Sequence, residues 1–299
     1  MSSSKLNVIP LEFAERPSLE LRATAEQIHV VPVEPGGSPR IEVETRRGEA
    51  PRIQVERNGE TLVVKSDAGM SQWMFGFVPF KRITMFVPST VRARIKQDFG
   101  NLKIERLEGC DLELSSSAGT ILLEHIRGRM AVAVDAGTIK GEHLAGTFDI
   151  RTEAGSVKLG IDALDAGDHR VRTELGAVKL YLAPGLSVKF ESSTSLGSSR
   201  ISYDDATDAK STMHLSAELG SIRVKEGDAF VDDKHGDWVD WRKLWKDAVT
   251  EVSAVVNDVM PKPQPTRVPD EELRKVLELV QDGKISASDA ERLIRAMGR

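Results

Sequence analysis

The stretch AGTIKGEHLAGTFDIRTEAGSV, residues 136–157, returns to glycine at Gly137, Gly146 and Gly155, nine residues apart each time. Extended in both directions, this beat becomes a series: FGNLKI, AGTILL, AGTIKG, AGSVKL, LGAVKL, LGSSRI and LGSIRV. The leading glycines are Gly100, Gly119, Gly137, Gly155, Gly176, Gly197 and Gly220, at intervals of 19, 18, 18, 21, 21 and 23 residues. A period near 20 residues marks a stacked-repeat architecture, because one such unit cannot bury its own apolar face.

Counted from each leading glycine, apolar residues fall at +2 and +4, as in Leu102 and Ile104, Ile121 and Leu123, or Val157 and Leu159. Another falls at +7 (Leu107, Ile126, Leu144). A second glycine at +9 (Gly109, Gly128, Gly146) precedes a further alternating pair. Alternation of period two is the mark of a strand with one buried face. Two short strands turning at glycines in each ~18-residue unit predict a mainly β fold, a right-handed parallel β-solenoid of about seven coils over residues 97–226. An antiparallel sandwich or barrel would explain the strand spacing, but not why +2 is apolar while +3 is charged.

The flanks read differently. Residues 1–19 form an N-terminal tail in this reading, and 20–96 a β-hairpin cap, with Asn58-Gly59 as a two-residue hairpin turn. Within that region GMSQWMFGFVPF packs Trp73, Phe75, Phe77 and Phe80 into eight residues, either a loop folded over the core or an exposed apolar tip. After Lys225 a helical pattern appears over 237–260, an amphipathic capping helix whose stripe carries Trp238, Trp241 and Trp245 and continues through valines. Two alternatives to capping stay open for this helix: a partner or self-association face, and a membrane-surface helix. Residues 261–269 hold four prolines in nine, a stiff linker. Residues 270–299 read as a helical hairpin: Leu273, Val276, Leu277 and Val280 form one stripe, answered by Leu293 and Ile294. So small a hairpin needs a surface to dock on.

These residues resemble a known family. KRITMFVPSTVRARIKQDFGNLKIERLEG and the tandem glycine units, over about residues 20–226, resemble the bacterial putative-adhesin β-repeat family, a domain of unknown function. LELVQDGKISASDAERLIRAM is similar to the SHOCT-like helical module. The resemblance implies a β-solenoid with a non-enzymatic role in bacterial cell-envelope stress, and it brings no catalytic residue with it.

Chemistry is sparse. The net charge of −5 and pI near 5.8 argue against a dedicated nucleic-acid binder, and none is expected as partner. Cys110 is the sole cysteine, so no internal disulfide forms. No secretory signal or membrane-spanning apolar run is found, so a cytoplasmic location is expected, with peripheral membrane association as an addition. No nucleophile elbow, phosphate loop or zinc-protease motif occurs, so neither an enzyme, a cofactor nor a metal is expected. His125 and His143, each preceded by glutamate, should stack on adjacent coils, where a metal ladder competes with plain solvated corners; Ile161 ends the ladder on the next coil.

Charge is the more regular signal. Position +3 holds Lys103, Lys140, Lys158, Lys179, Arg200 and Arg223; position −2 holds Asp98, Asp135, Glu153, Glu174 and Glu218. Both face outward by parity, giving a basic and an acidic stripe that can neutralise each other across the corner. They serve solubility alone, or the basic stripe is a docking track for an anionic partner such as lipid headgroups or a wall polymer. The expected function is a scaffold or binding protein whose C-terminal helices bind a protein partner or self-associate. A bactofilin-like polymer stacked end to end and a carbohydrate-active β-helix enzyme are the alternatives.

Overall fold

The computed structural model describes residues 5–46, 52–67, 80–206 and 208–227. The aromatic segment before Phe80, the 237–260 helix, the 261–269 linker and the 270–299 hairpin expected from sequence lie outside these. The described chain is mainly β, with no helix. Its strands are β1 (Lys5–Pro10), β2 (Ser18–Ala23), β3 (Gln27–Pro32), β4 (Arg40–Arg46), β5 (Arg52–Asn58), β6 (Thr61–Asp67), β7 (Phe80–Val87), β8 (Arg92–Glu105), β9 (Glu108–Leu164), β10 (Gly167–Leu182), β11 (Lys189–Ser202) and β12 (Ser211–Glu226).

The glycine units pair in parallel and in register. Gly100 of β8 meets Gly119 of β9, Gly155 meets Gly176 of β10, and Gly176 meets Gly220 of β12. Each such rung is a strand, a corner glycine and a second strand. The +2 residues Ile121, Ile139, Val157, Val178 and Ile222 are completely buried, as are Ile104, Leu123 and Leu159 at +4. Each such side chain stabilises by about 1.5–3 kcal/mol relative to exposure. At the corners only glycine fits. Gly137 has φ 150°, and a Cβ on it would run into the carbonyl oxygen of Gly119 in the rung below.

The stack begins earlier than the glycine beat announces. β2 and β3 pair in parallel with the two halves of β8, and β6 and β7 pair in parallel with β2 and β3. These are two further rungs within the region read as a hairpin cap. The beat missed them for a physical reason. In the β2–β3 rung Glu26 occupies the corner, its carboxylate taking hydrogen bonds from Ser66 Oγ (2.7 Å) and the Ala25 N–H (2.9 Å). In the β6–β7 rung residues 68–79 intervene between the two strands in the chain. Antiparallel strands do close this end: β5 pairs with β6 across the expected Asn58-Gly59 turn, and β4 pairs with β7. β1 pairs with β4, so residues 5–10 are a strand, not part of a tail. Leu6 and Val8 of β1 are 62% and 49% exposed, so its apolar alternation does not mark a buried face.

A second correction concerns rung order. β12, the last strand, lies between β10 and β11. The unit LGSSRI therefore forms the outermost rung, although LGSIRV follows it in the chain. Ser192 and Ser199 occupy core-facing positions there, directly over the buried Leu215 and Ile222, and hydrogen-bond each other at 3.1 Å. Polar groups turned toward a core cost least at its edge, where partners and water can satisfy them. The terminal rung is a serine cap built from the repeat itself.

Candidate functional site

In-register stacking aligns the +3 residues into one column. Its order is Lys103, Leu122, Lys140, Lys158, Lys179, Arg223, Arg200. β12 pairs in register with both β10 and β11, so both arginines stay in line. Five cations follow one another without interruption, each about 4.8 Å from the next. At that spacing neighbouring charges repel by about 1 kcal/mol in water and by several-fold more near a protein surface.

Lys103 leaves the track. Leu122 separates it from the others, and its ammonium binds Glu105 (2.5 Å) and Glu124 (3.0 Å). Its partial burial opposes the charge, but the hydrogen bonds to the two glutamates outweigh this and hold its pKa above the ordinary lysine value. His29 also reaches Glu105, at 3.1 Å, and burial pulls its pKa below the usual histidine value. This is an internal ion cluster between rungs.

The columns beside the five cations are rich in small and hydroxyl side chains. Position +1 carries Thr138, Ser156, Ala177, Ser221 and Ser198, with Thr138 and Ser156 hydroxyls 3.5 Å apart. Position +5 carries Glu142, Gly160, Tyr181, Lys225 and Ser202. Burial, then the nearby Glu124, raises the pKa of Glu142 above the carboxylate norm, against the opposing pull of His143, Lys158 and His125. The Lys158 ammonium lies 5.8 Å from the centre of the Tyr181 ring. A ribbon of cations and hydroxyls of this kind suits an extended anion.

Two members of the acidic stripe have a partner beside them. Glu174 and Glu218 pair with Arg172, at 3.7 and 2.7 Å, on their own side of the corner. The same face balances itself elsewhere, through Arg94–Glu113 (2.7 Å) and Asp111 between Arg92 and Arg129 (3.2 and 3.0 Å). Exposed pairs of this kind are worth about 0–1 kcal/mol each.

A further column escaped the sequence reading. The residue before each leading glycine is apolar: Phe99, Ala118, Ala136, Ala154, Leu175, Leu219 and Leu196 in stacking order. Phe99, Leu175 and Leu196 are 43%, 46% and 61% exposed. The signal was present in the dipeptides FG, AG and LG, but the strict alternation after each glycine is stronger and masked it.

His125 and His143 do stack on adjacent rungs, ring centres 4.5 Å apart and planes within 9°. Both have φ near +54°, in the left-handed region, as has Arg106 one rung below at 55°. Parallel rings cannot converge their nitrogens on one ion, and among the described residues no group of three His, Cys, Asp or Glu is placed to hold a metal. The next coil presents Asp162, whose Oδ2 lies 3.0 Å from His143 Nδ1, and not Ile161, which is buried at 1% exposure. The reason is local: Ile161 pairs with Leu182 on the core side, which turns the following residue outward. The remaining candidates, Trp238, Trp241, Trp245, Leu273, Val276, Leu277, Val280, Leu293 and Ile294, lie outside the described residues.

A SHOCT-like domain model matches residues 271–299. No curated protein matches the chain. Among solved structures, the chain is similar to a "putative cell adhesion protein" from Clostridium sporogenes, with 13% identity, 75% of this chain and 100% of that one covered, and a TM-score of 0.38. It is also similar to a "putative adhesin" from Parabacteroides merdae (8% identity, 74% and 96% covered, TM-score 0.37). A third is a "putative lipid binding protein" from Parabacteroides distasonis (8% identity, 74% and 96% covered, TM-score 0.30). Likeness this distant carries no function across.

Proposed function

We propose that this chain is a non-enzymatic β-solenoid scaffold that binds an extended anionic partner along the Lys140–Lys158–Lys179–Arg223–Arg200 column. The observation that carries the reading is the unbroken alignment of five cations in one column of the stack. The C-terminal helices, including the segment matched by the SHOCT-like model, recruit a protein partner or self-associate. A cytoplasmic protein so built, with peripheral contact to an anionic membrane or wall precursor, fits a role in bacterial envelope stress. End-to-end polymerisation suits the structure less well, because the outermost rung is serine-rich and exposed.

The test is co-sedimentation of the full chain with anionic vesicles and, separately, with a poly(glycerol phosphate) polymer. The variant K158E/K179E/R223E should lose binding to one of the two while melting as the parent does. Light scattering with and without residues 261–299 assigns the tail. Retained binding after charge reversal would remove the column from the mechanism.

A further inference from the structure

The corner that carries His125 and His143 takes no part in the proposed anion track, and it is built on different residues from the glycine corner. Among the described residues, Arg106, His125 and His143 are the three non-glycine residues with positive φ, at 55°, 53° and 54°. They follow one another on successive rungs: the Arg106 N–H donates to the Glu124 carbonyl at 2.9 Å, one residue before His125, and His125 stacks on His143. Left-handed backbone is uncommon outside glycine, and a run of it gathers at functional sites, where a side chain must be aimed.

Here two of the three line a cleft. Asp162 holds His143, Oδ2 to Nδ1 at 3.0 Å, and the His143 ring covers one face of the His125 ring. The other face of His125 looks down the stack toward the Arg106 rung. There the Arg106 guanidinium turns aside to Glu105, at 3.7 Å, and a cleft of about 460 Å³ opens, lined by Ser89, Arg106, Glu108 and His125. A flat ring entering it would lie one rung, about 4.8 Å, below His125 and become the third ring of the stack. The lining selects the ring. An ionised Glu108 only accepts hydrogen bonds, and its paired oxygens suit a ring edge with two adjacent N–H donors. Guanine has such an edge; adenine sets its amino group beside an acceptor nitrogen. Arg106 offers a fork of donors that matches phosphate. The nearby acids Glu105 and Glu124 both bind the Lys103 ammonium, which offsets their charge. The volume is that of a small-molecule site, enough for one base with its ribose phosphate and not for a strand. We propose that this cleft binds a free guanine nucleotide, its base stacked under His125, its donor edge on Glu108 and its phosphate on Arg106.

The test is calorimetric titration of the full chain with guanosine monophosphate, adenosine monophosphate and ribose 5-phosphate. The guanine nucleotide should bind tightest, and the sugar phosphate, which has no base to stack, about tenfold or more weaker. His125→Asn removes the ring but keeps a residue that tolerates left-handed backbone, so it should weaken guanosine monophosphate by a similar factor while melting as the parent does. Glu108→Gln, at an exposed position of ordinary backbone, should abolish the preference for guanine over adenine, and it is the second variant should the first fail to fold. Absence of binding at millimolar nucleotide overturns the proposal. So does equal affinity for ribose 5-phosphate, which reduces the site to phosphate capture, or affinity that survives both substitutions. Nucleotide binding lost in K158E/K179E/R223E but kept in the corner variants also overturns it, assigning the nucleotide to the cation column. Polyanion binding by that column is read separately, so either proposal can fail alone.

Discussion

Replacing Gly155 by alanine tests whether the corners hold the stack together by close approach or merely by permissive dihedrals. Gly155 has φ 146°, a conformation that costs a non-glycine residue about 1–2 kcal/mol. A Cβ there would also stand 1.7 Å from the carbonyl oxygen of Gly137. An ordinary carbon–oxygen contact is near 3.3 Å, so the rungs must part by at least about 1.5 Å at this corner, beyond hydrogen-bond range. Losing the two rung-to-rung bonds that flank the corner adds about 1–3 kcal/mol. The sum is about 2–5 kcal/mol. Gly185 is the control: its φ is 79°, but nothing lies within 4 Å of its built Cβ, so Gly185→Ala incurs the dihedral cost alone. Guanidinium unfolding of both variants beside the parent gives the comparison, with the midpoint in thermal melts falling about 2–4 °C for each kcal/mol. Gly155→Ala should lose at least 1 kcal/mol more than Gly185→Ala. It should also unfold over a broader range, since a parted corner divides an array held by nearest-neighbour contacts. Equal losses would refute the close-approach account and leave the glycine beat a matter of turn conformation only.

Val157→Asp places an unpaired charge at a fully buried position and should cost about 4 kcal/mol or more, whereas Lys158→Asp, one residue on, should cost under about 1 kcal/mol; similar denaturation midpoints would overturn the parity assignment. His169 is fully buried, its Nε2–H donating to the Asp165 carbonyl at 2.8 Å, and burial sets its pKa below the ordinary 6.5. Below pH 6.5 the unfolded chain therefore takes up a proton before the folded one, so stability falls as pH drops through that value, by at most about 1.4 kcal/mol per pH unit; His169→Gln should flatten this slope, and an unchanged slope would absolve the residue. Burial pushes the Cys110 thiol up to about 12, so a thiol reagent should label it only at the rate of unfolding, and rapid labelling of the native chain would show the core to be open there. Ser192→Leu with Ser199→Ile makes the outermost rung apolar and should convert a soluble end into an associating one, visible as higher mass in light scattering; an unchanged mass would deny the serines their capping role.

Much of the β architecture was legible because stacking imposes the same demand on every rung. Val157, Val178 and Ile222 recur at +2 since each must lie on its neighbour, and Gly155, Gly176 and Gly220 recur since each corner must pass within a carbonyl of the next. Where a rung solves the corner differently the signal vanishes. Glu26 satisfies its corner with hydrogen bonds from Ser66 and the Ala25 N–H, and no sequence period equates a buried glutamate with a glycine. The cation column was legible residue by residue but not as a column. Lys103 matches the pattern and yet is drawn into an ion cluster by Glu105 and Glu124, which stand near it only in three dimensions.

Rung order was the deeper omission, although the sequence records it. LGSSRI differs from every other unit in carrying Ser199 where the rest carry a branched aliphatic or leucine, and ESSTS just before it places Ser192 at a second core position. In mid-stack Ser199 could still donate to Ser192, but the Ser192 proton would find only apolar neighbours, at a cost of about 1–3 kcal/mol, so this unit belongs at an end wherever it falls in the chain. Its connections allow that. Tyr203 donates its hydroxyl to the Ala183 carbonyl at 2.8 Å and accepts from the Leu186 N–H at 2.7 Å, tying the exit of β11 to the loop that leads into it. The chain can then turn back and lay β12, with Met213, Leu215 and Ile222 fully apolar toward the core, between β10 and the serine rung. The detour places Arg223 next to Lys179 and Arg200 beyond it. One choice of order thus closes the described core with polar side chains and leaves Arg200, the last cation of the column, on the outermost rung.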